Sequence, residues 1–589
     1  MRLVLDLETY YDDTYSLKKM HTLEYVRDER FLVHGCAVKV DDEDTIFVPG
    51  EAFKIFIDSL PDDVELICHN TYFDGLVLYH HYQFVPETYR DTQSMAKGLL
   101  PHAPSHSLDN LCSLLGLGEK IPEVLGLTKG LRHIPPELFA QLGEYAKNDV
   151  ELTDLLYRKL EPGLPDEELQ LIDLTMRWGC RPVLHVDLPR AEAALRVSIA
   201  SRNDAIEASG TTLEVLSSQP KFRAYLEDLN IEVPMKKNKK GDLIPALGKD
   251  DLGFRQMLAD YPEHDLLFKG RLAAKSTLDV TRTQRVVNIG SRGTLPMPLK
   301  YYGAHTGRWS GADGLNPQNF RRGSELRKSI IAPPGWVVLV ADLKQIEVRL
   351  NMWYCNQHDW VQIFRDGVDV YSALAADHFS VPLEEVTGEQ RFFGKTLELG
   401  LGYQMGWEKF RNTCALRGIF LSEQKSYETV THYRSTHHKV QSKWHVLKAH
   451  LNSMYSKNCY IEDGPVTFTH EAIQLPNGMQ IDYSGLEPTE TGNWFYGLNG
   501  RRIKIYGGKM LENLIQALGR VVLGENLLEI ERCGITTVSS THDEPIMVVR
   551  EAEADDAVKE VTKIMTTPPT WAPDLPVEID IGYAREYSK

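Results

Sequence analysis

The chain has 589 residues, more than one hydrophobic core usually holds, so we expect two to four domains. Its 42% hydrophobic and 25% charged residues are typical of a soluble globular protein, and no apolar run approaches the ~20 residues of a transmembrane helix. The net charge of −18 argues against a nucleic-acid partner unless a basic patch is hidden within that average.

The cysteines and the N-terminus indicate a location in the cell. None of the eight cysteines forms a CxxC pair, which argues against a structural zinc site, and scattered thiols suit a reducing cytosol. Asp6 stands where a signal peptide would have its apolar core. We therefore expect a cytoplasmic protein with no membrane partner.

Residues 1 to about 160 predict an α/β domain. Apolar runs at 3–5 and 64–69 predict strands, and helical periodicity follows at 108–117 and 138–160. The segment 161–165, Glu-Pro-Gly-Leu-Pro, predicts a linker.

Three acidic motifs follow one another in this domain. Asp6 and Glu8 stand two apart in a strand, so both carboxylates point to one face. Asp74 follows the second apolar run, and Tyr145 and Asp149 share a helix face at i, i+4 spacing. Each pattern alone is typical of a protein surface, whereas the ordered set indicates a site.

The ordered set resembles the DEDD family of 3′→5′ exonucleases, in its DEDDy branch, which implies an RNase H-like fold. By resemblance, Asp6, Glu8, Asp74 and Asp149 are ligands for two divalent ions, and Tyr145 orients the attacking water. The alternative is an inactive RNase H-like scaffold, which would have no reason to retain all five groups.

The next 170 residues change from helical to basic. Leu and Ala spacing predicts helices over 166–280, interrupted by an exposed basic loop at 236–241. Residues 281–330 carry nine Lys or Arg against two acids, a local charge of +7. Such a run is usually a solvated loop, but aromatic and amide side chains among the cations favour a groove that follows a nucleic-acid backbone.

Two further carboxylates follow buried strand patterns. The run 337–341 predicts a strand ending at Asp342, with a helix beginning over 343–350. The runs 537–541 and 546–549 predict strands joined by a turn of His542, Asp543 and Glu544. A carboxylate on a tight hairpin beside one at a strand end makes a two-metal site, although the hairpin alone would be typical of a solvated turn.

A stripe of side chains lies between these segments. Arg391, Lys395, Leu399 and Tyr403 recur every four residues and predict one helical face roughly 18 Å long. Cations at one end and apolar and aromatic groups at the other suit a nucleotide; the alternative is an ordinary amphipathic helix.

These segments resemble motifs A, B and C of family A DNA polymerases, the bacterial DNA polymerase I type. The resemblance covers essentially the whole chain and includes the segments 271–277, 306–310, 316–319, 512–517 and 568–572. The segment 306–311, Thr-Gly-Arg-Trp-Ser-Gly, and the short length of the chain are similar to those of the bacteriophage branch of the family.

The resemblance implies a multidomain α/β and α+β fold, an exonuclease followed by a right-hand polymerase. Residues 1–162 would form the exonuclease and 163–300 the thumb with connecting helices. The palm would comprise 301–360 and 501–589, and the fingers 361–500.

The resemblance also implies roles at the second site. Asp342 and Asp543 would bind two Mg²⁺, with Mn²⁺ able to substitute, while a primer 3′-hydroxyl attacks a dNTP. Glu544 would lie beside the ligands or at the primer end, and Lys395 would protonate the pyrophosphate. The implied nucleotide-binding residues are Arg391, Lys395, Leu399, Tyr403, Gln345, Glu347 (which would exclude a ribose 2′-hydroxyl) and Tyr371. The implied DNA-binding residues are Arg271, Lys275, Arg308, Gln318, Asn319, Asn513, Gln516 and His542.

Four positions depart from the family pattern: Leu399 replaces an aromatic residue, Tyr371 a His, Gln404 a Gly and Glu398 an Asn. They affect the expected rate and selectivity and leave the expected reaction class unchanged.

The expected partners are primer–template DNA, dNTPs and unidentified replication accessory proteins, with the chain a monomer in the cytoplasm of a phage-infected bacterium. One alternative is a nuclease whose polymerase half is a DNA-binding platform, and another is a non-catalytic subunit of a priming complex. A single-subunit RNA polymerase shares the palm, but Glu347 and the linked exonuclease favour DNA synthesis.

Overall fold

The computed structural model describes residues 1–121, 124–238 and 241–588. Its N-terminal part is built on a five-stranded sheet in the order β3-β2-β1-β4-β5. The strands are β1 (Arg2–Thr9), β2 (Val33–Val40), β3 (Ile46–Pro49), β4 (Glu65–Cys68) and β5 (Thr88–Asp91). The helices are α1 (Thr22–Val26), α2 (Gly50–Asp58), α3 (Thr71–Tyr82), α4 (Thr92–Leu99), α5 (Leu108–Leu115), α6 (Leu125–Thr128) and α7 (Pro136–Leu160).

Strand β1 lies at the centre of this sheet, where it pairs antiparallel with β2 and parallel with β4. Its apolar residues are buried on both faces, as expected for a central strand. Helix α7 packs across β1 and β2. This arrangement holds the acidic residues of β1 against α3 and α7.

A helical region follows. Its helices are α8 (Asp166–Cys180), α9 (Leu188–Ala208), α10 (Leu213–Ser217), α11 (Gln219–Asp228), α12 (Leu252–Asp260), α13 (Asp265–Lys275) and α14 (Leu278–Gly290). Its short strands are β6 (His185–Val186), β7 (Met235–Lys237) and β8 (Leu243–Pro245).

Two sequence expectations change here. The expected linker is a single 3-10 turn, Glu161–Gly163, that joins two long helices. The expected basic loop is in part a hairpin, because β7 pairs with β8; Lys239 and Lys240 lie outside the described residues.

The second site is built on a four-stranded antiparallel sheet in the order β20-β21-β12-β22. The elements before the finger helices are β9 (Leu299–Lys300), β10 (Ser310–Gly311), α15 (Glu325–Lys328), β11 (Ile330–Ile331), β12 (Trp336–Leu343) and α16 (Ile346–Tyr354). One hydrophobic core contains side chains of β1 and of β12, so the two sheets belong to one packed body.

Six helices and two small sheets separate the halves of this palm. The helices are α17 (His358–Arg365), α18 (Val370–Phe379), α19 (Gly388–Leu401), α20 (Trp407–Leu416), α21 (Glu423–Thr436) and α22 (His438–Met454). The strands are β13 (Tyr460–Asp463), β14 (Val466–Thr469), β15 (Ala472–Gln474), β16 (Gln480–Asp482), β17 (Glu487–Pro488), β18 (Trp494–Leu498) and β19 (Arg501–Ile505). The chain ends with α23 (Gly507–Arg532), β20 (Thr536–Thr541), β21 (Glu544–Arg550), α24 (Ala554–Thr566) and β22 (Ile579–Ala584).

Three predicted boundaries shift by a few residues. Asp342 lies within β12 and not at its end, because β22 extends the pairing as far as Leu343. The following helix begins only at Ile346, after Gln345 in the left-handed region (φ 52°). Helix α19 ends at Leu401, which leaves Tyr403 just beyond it.

None of the described helices combines the length and apolarity needed to cross a membrane.

Candidate active sites

The structure brings the four acidic residues of the first domain into one cluster. Asp6 and Glu8 project from β1, Asp74 from the first turn of α3, and Asp149 from α7. The backbone N–H of Leu7 donates to Asp74 Oδ1 at 3.2 Å, which ties α3 to the strand between the two acids. The motifs predicted from separate segments therefore meet.

Burial and mutual repulsion raise the pKa values in this cluster. Burial, followed by the charge of Asp149, raises the pKa of Asp6 to about 7. Burial and neighbouring carboxylates also raise the pKa values of Glu8 and Asp74 well above the usual range. Carboxylates perturbed in this way are typical of a functional site.

Lys120 supplies the cation nearest to this cluster. Its Nζ lies 2.6 Å from Asp149 Oδ2 and donates to Tyr145 Oη at 3.1 Å. Sequence patterns gave no signal for Lys120, since it stands in a Gly-Glu-Lys segment without a motif. It holds the tyrosine and one acid together in this structure.

The residues present fit divalent metal ions. Asp149 Oδ1 is buried without a hydrogen-bond partner, and the acids converge with one lysine as their nearby cation. Within the described residues, no three His, Cys, Asp or Glu side chains stand in ready metal-coordinating geometry. Lys120 occupies one oxygen of Asp149 in this structure. Hard oxygen donors of this kind match Mg²⁺ or Mn²⁺.

The palm brings Asp342 and Asp543 together. Asp342 projects from β12, and Asp543 lies in the two-residue turn between β20 and β21, where His542 has φ 55°. The N–H of Leu343 donates to the Asp543 carbonyl at 3.2 Å and holds the turn against β12. Burial raises the pKa of both carboxyl groups, and Glu544 raises that of Asp342 further.

Glu544 is buried in a network of its own. Its Oε1 accepts from Arg327 Nη2 and Tyr587 Oη, both at 2.8 Å. Arg322 Nη2 lies 3.2 Å from Glu544 Oε2 and 3.3 Å from Asp342 Oδ2. Arg322 thus bridges two palm acids, much as Lys120 neutralises one acid of the exonuclease cluster.

A further acid stands beside Asp342. Asp580 is its direct partner on β22, and paired side chains share a sheet face. Its charge contributes to the raised pKa of Asp342. The sequence did not single it out, because β22 carries no recognisable motif.

The two cations of the predicted stripe, both on α19, face solvent. Arg391 and Lys395 are exposed and Leu399 is half-buried, whereas residues 396–398 are buried. Tyr371 of α18 lies beneath the stripe, 5.5 Å from the Arg391 guanidinium and 5.9 Å from Lys395 Nζ. Gly394 permits this close packing, since a Cβ there would lie 2.1 Å from the Tyr371 carbonyl oxygen.

Asp369 belongs to no sequence motif, yet it joins two elements of the second site. It accepts from Arg391 Nε and Nη2 at 2.9 and 3.0 Å and from Gln345 Nε2 at 2.9 Å. The carboxylate therefore links α19 to the residue that precedes the motif A helix. A triphosphate would have to share Arg391 with it.

The predicted DNA contacts divide into accessible and buried residues. Lys275, Asn319 and His542 are exposed, and Arg308, Gln318 and Gln516 are half-buried. Arg308 forms an ion pair with Glu347, the residue expected to exclude ribose.

Arg271 and Asn513 differ from the expectation of accessible contacts. Arg271 is 3% exposed, donates to the Leu216 carbonyl and covers the Phe222 ring, because it completes the core of a helical cluster. Asn513 is 4% exposed and donates to Tyr483 Oη at 3.1 Å. Both side chains are therefore buried in this conformation, and their roles as DNA contacts stay predictions.

The basic stretch 281–330 is largely paired within the protein. Eight of its nine cations contact a described carboxylate or carbonyl, including Arg285 on Gly314 and Arg292 on Glu24. The remaining pairings involve Arg282, Arg308, Arg321, Arg322, Arg327 and Lys328. The local excess of +7 thus also serves to neutralise acids of neighbouring segments.

Glu398, one of the four departures, is buried beneath the stripe. It accepts from Tyr433 Oη at 2.9 Å, and no described cation compensates its charge. Burial raises its pKa to about 7, and the hydrogen bonds from Tyr433 and Asn351 offset this only in part.

We expect Glu398→Gln to make the fold less sensitive to pH. Because folding raises the pKa of Glu398, the protonated carboxyl group is the form that suits the fold. The free energy of unfolding is therefore at its full value below pH 4.5, and part of it is lost as the pH rises through 7. The variant should therefore gain stability over wild type between pH 5 and 8, by about 3 kcal/mol at most. Chemical unfolding across that range measures the gain, and Glu389→Gln, on the exposed face of the same helix, is the matched control. A gain independent of pH would contradict the assignment.

Comparison with known proteins identifies both kinds of domain. The family model described as DNA polymerase family A matches residues 189–462, and the model described as 3′-5′ exonuclease matches residues 3–165. The DNA polymerase of Bacillus phage SP02 is 25% identical over 521 residues, covering 78% of this chain and 77% of that protein. DNA polymerase I of Pseudomonas aeruginosa is 30% identical over 336 residues, covering 51% of this chain and 35% of that protein.

A solved structure has the same fold. The POL domain of Pol1 from M. smegmatis, in complex with DNA primer-template and dNTP, has a TM-score of 0.70 at 19% identity, covering 100% of this chain and 96% of that one.

An exonuclease fold followed by a palm with paired carboxylates defines the class of proofreading polymerases. The chain carries a domain of DNA polymerase family A, matched over residues 189–462, and a 3′–5′ exonuclease domain, matched over residues 3–165. The expected family and fold class are thereby confirmed, while the domain boundaries and the residue roles stay predictions. Both kinds of domain generally depend on divalent metal ions.

Proposed function

We propose that this chain extends a DNA primer from dNTPs at the palm carboxylates and removes mispaired primer ends at the exonuclease carboxylates. The observation that carries the proposal is the presence of two separate groups of repelling carboxylates, one in the domain matched as an exonuclease and one around Asp342, which lies in the segment matched as a polymerase. Replication of a phage genome in the cytoplasm of its bacterial host is the role we propose, in line with the phage relative.

At the palm, Asp342 and Asp543 would hold two Mg²⁺, and Glu544 would stay with Arg327 as a fixed neighbour. When bound, the ions lower the pKa of the attacking hydroxyl and neutralise phosphate charge. Moving Arg322 away from Asp342 would free a carboxylate oxygen for this purpose.

On α19, Arg391 and Lys395 would bind the triphosphate, and Lys395 would donate a proton to the pyrophosphate oxygen as it leaves. Asp369 would orient Arg391 before the nucleotide arrives. Leu399 and Tyr403 would face the sugar and the base. Glu347, turned by Arg308, would occupy the space that a ribose 2′-hydroxyl needs.

At the exonuclease cluster, Asp6, Glu8, Asp74 and Asp149 would hold the ions there. Tyr145 Oη would orient the water, and Lys120 would leave Asp149 to make room. Primer–template DNA would contact the accessible side chains already named, while accessory proteins and the monomeric state remain part of the proposal.

A primer–template assay tests the proposal. With Mg²⁺ and dNTPs, wild type should lengthen a 5′-labelled primer; with Mg²⁺ alone it should shorten it. EDTA should stop both reactions and added Mn²⁺ should restore them, since both sites rely on oxygen ligands. If wild type only shortens the primer, the polymerase half is a DNA-binding platform. If it does neither, both assignments fail.

A further inference from the structure

A tight turn of the polymerase part enters the exonuclease domain. Residues 312–315 close this turn, in which the N–H of Leu315 donates to the Ala312 carbonyl at 3.1 Å. Asp313 and Gly314 both have positive φ, 51° and 65°. This is the geometry of a type I′ turn, for which Asp-Gly is a favoured pair. The turn presents the Asp313 carboxylate at its tip.

Three exonuclease residues surround that carboxylate. Its Oδ2 accepts from the N–H of Thr22 at 3.0 Å and from Tyr72 Oη at 3.3 Å, and it lies 3.1 Å from His21 Nε2. His21 Nδ1 accepts from the N–H of Leu23, which places the ring proton on Nε2; Nε2 is buried beside the Asp313 carboxylate but forms no hydrogen bond with it. We call these three residues the socket.

The other side of the turn is clamped by α14. Arg285 donates to the Gly314 carbonyl, and a Cβ at Gly314 would lie 2.2 Å from Arg285 Nη1. Leu315 is fully buried in the core shared by both sheets. Contacts on both sides therefore fix the position of the turn between the two domains.

The turn joins two functional segments. Tyr72 is on α3, two residues before Asp74 of the exonuclease cluster. Arg308, Gln318 and Asn319, the proposed DNA contacts, flank the turn. Gln318 Nε2 donates to the Trp309 carbonyl at 3.3 Å, which joins the segments before and after the turn. A movement of the turn would therefore displace both segments.

We propose that Asp313 is a positioning residue that couples the two sites and sets how a primer end divides between extension and excision. This inference rests on the proposed function. With the carboxylate in the socket, the DNA-contacting segment and the helix bearing Asp74 keep a fixed relation. A mispaired end that slips from the first is then held in line with the second.

Variants at position 313 test the coupling. Asp313→Ala removes the acceptor and disfavours positive φ, whereas Asp313→Asn keeps an acceptor and tolerates that backbone. We expect Asp313→Ala to lower the ratio of excision to extension at a mispaired primer end by roughly five-fold. Asp313→Asn should stay close to wild type. Excision of single-stranded DNA and extension of a paired primer should change less than two-fold in both.

Two more variants separate coupling from damage to the fold. Tyr72→Phe removes one socket donor without altering the turn, and it should lower the ratio in the same direction. Asp41→Ala is the matched control, because Asp41 also has positive φ (46°) and accepts from the N–H of Arg2 at 2.8 Å, wholly inside the exonuclease domain.

The outcomes are distinct. An unchanged ratio in Asp313→Ala, or one equally lowered in Asp41→Ala, overturns the coupling. A proportional fall in single-strand excision also overturns it, since the exonuclease cluster itself would then be damaged. If wild type neither extends nor excises, the proposed function fails instead.

Discussion

Asp342→Ala should lose primer extension by on the order of 10³-fold or more, because a metal ligand supports several kcal/mol of transition-state stabilisation. Excision of single-stranded DNA should remain within two-fold of wild type, since the exonuclease cluster lies on a different sheet. Single-turnover extension and excision, measured on the same preparations, check both halves of this expectation.

Asp6→Ala is the reciprocal variant and should lose excision while extension persists. Asp580→Asn is the matched control for Asp342, since it removes a neighbouring charge on the same sheet face. A loss in Asp580→Asn as large as that in Asp342→Ala would mean that local charge, and not metal ligation at Asp342, carries the effect. Extension by Asp342→Ala at the wild-type rate would remove the palm assignment altogether.

The second large effect concerns stability. Glu168 of α8 and Arg520 of α23 form an ion pair in which both side chains are about 2% exposed. Arg520 Nη2 donates to Glu168 Oε2 at 2.6 Å, and the guanidinium lies 4.8 Å from the Trp309 ring. Although burial opposes it, the guanidinium holds the pKa of Glu168 below its usual range.

Glu168→Ala should therefore lower the free energy of unfolding by about 3–5 kcal/mol, because it leaves Arg520 charged, buried and unpaired. Chemical unfolding at pH 7 measures the loss. A double variant, Glu168→Leu with Arg520→Met, should recover much of it, since an apolar pair carries no desolvation cost.

Asp58→Ala is the control for this second prediction. It breaks an exposed i, i+4 pair with Lys54 and should cost below about 1 kcal/mol. If Asp58→Ala and Glu168→Ala lowered the free energy of unfolding equally, burial of the Glu168–Arg520 pair would not explain the loss in Glu168→Ala.

The Glu168–Arg520 pair also matters for the palm. Trp309, which the guanidinium approaches, follows Arg308 directly, and its Nε1 donates to Thr175 Oγ1 at 2.9 Å. The pair therefore fixes the chain beside the Arg308–Glu347 contact. Loss of the pair should therefore disturb the Arg308–Glu347 contact as well as the fold.

The acidic motifs were predictable from the sequence because they depend on local periodicity. Asp6 and Glu8 share a face in any strand, and Tyr145 and Asp149 share a face in any helix. The structure places all of them in one cluster, as expected. Arg391 and Lys395 were predictable for the same reason, since α19 exposes that stripe.

Ion-pair partners that lie far from the motifs along the chain were not predictable from the sequence. Lys120 on Asp149, Arg322 on Asp342 and Asp369 on Arg391 carry no motif of their own. Arg271 shows the reverse case: its motif suggested a DNA contact, but its guanidinium meets a buried carbonyl, and packing placed it in a core.

The sequence by itself thus determined the two domain types, the acidic motifs and the exposed cations of α19, since each depends on a local spacing of residues. Only the tertiary structure decided which cations neutralise those acids and how the turn at Asp313 meets the socket 291 residues away. The physical reason is that such partners are selected by packing and by the need to pair buried charge, and neither leaves a local pattern in the chain.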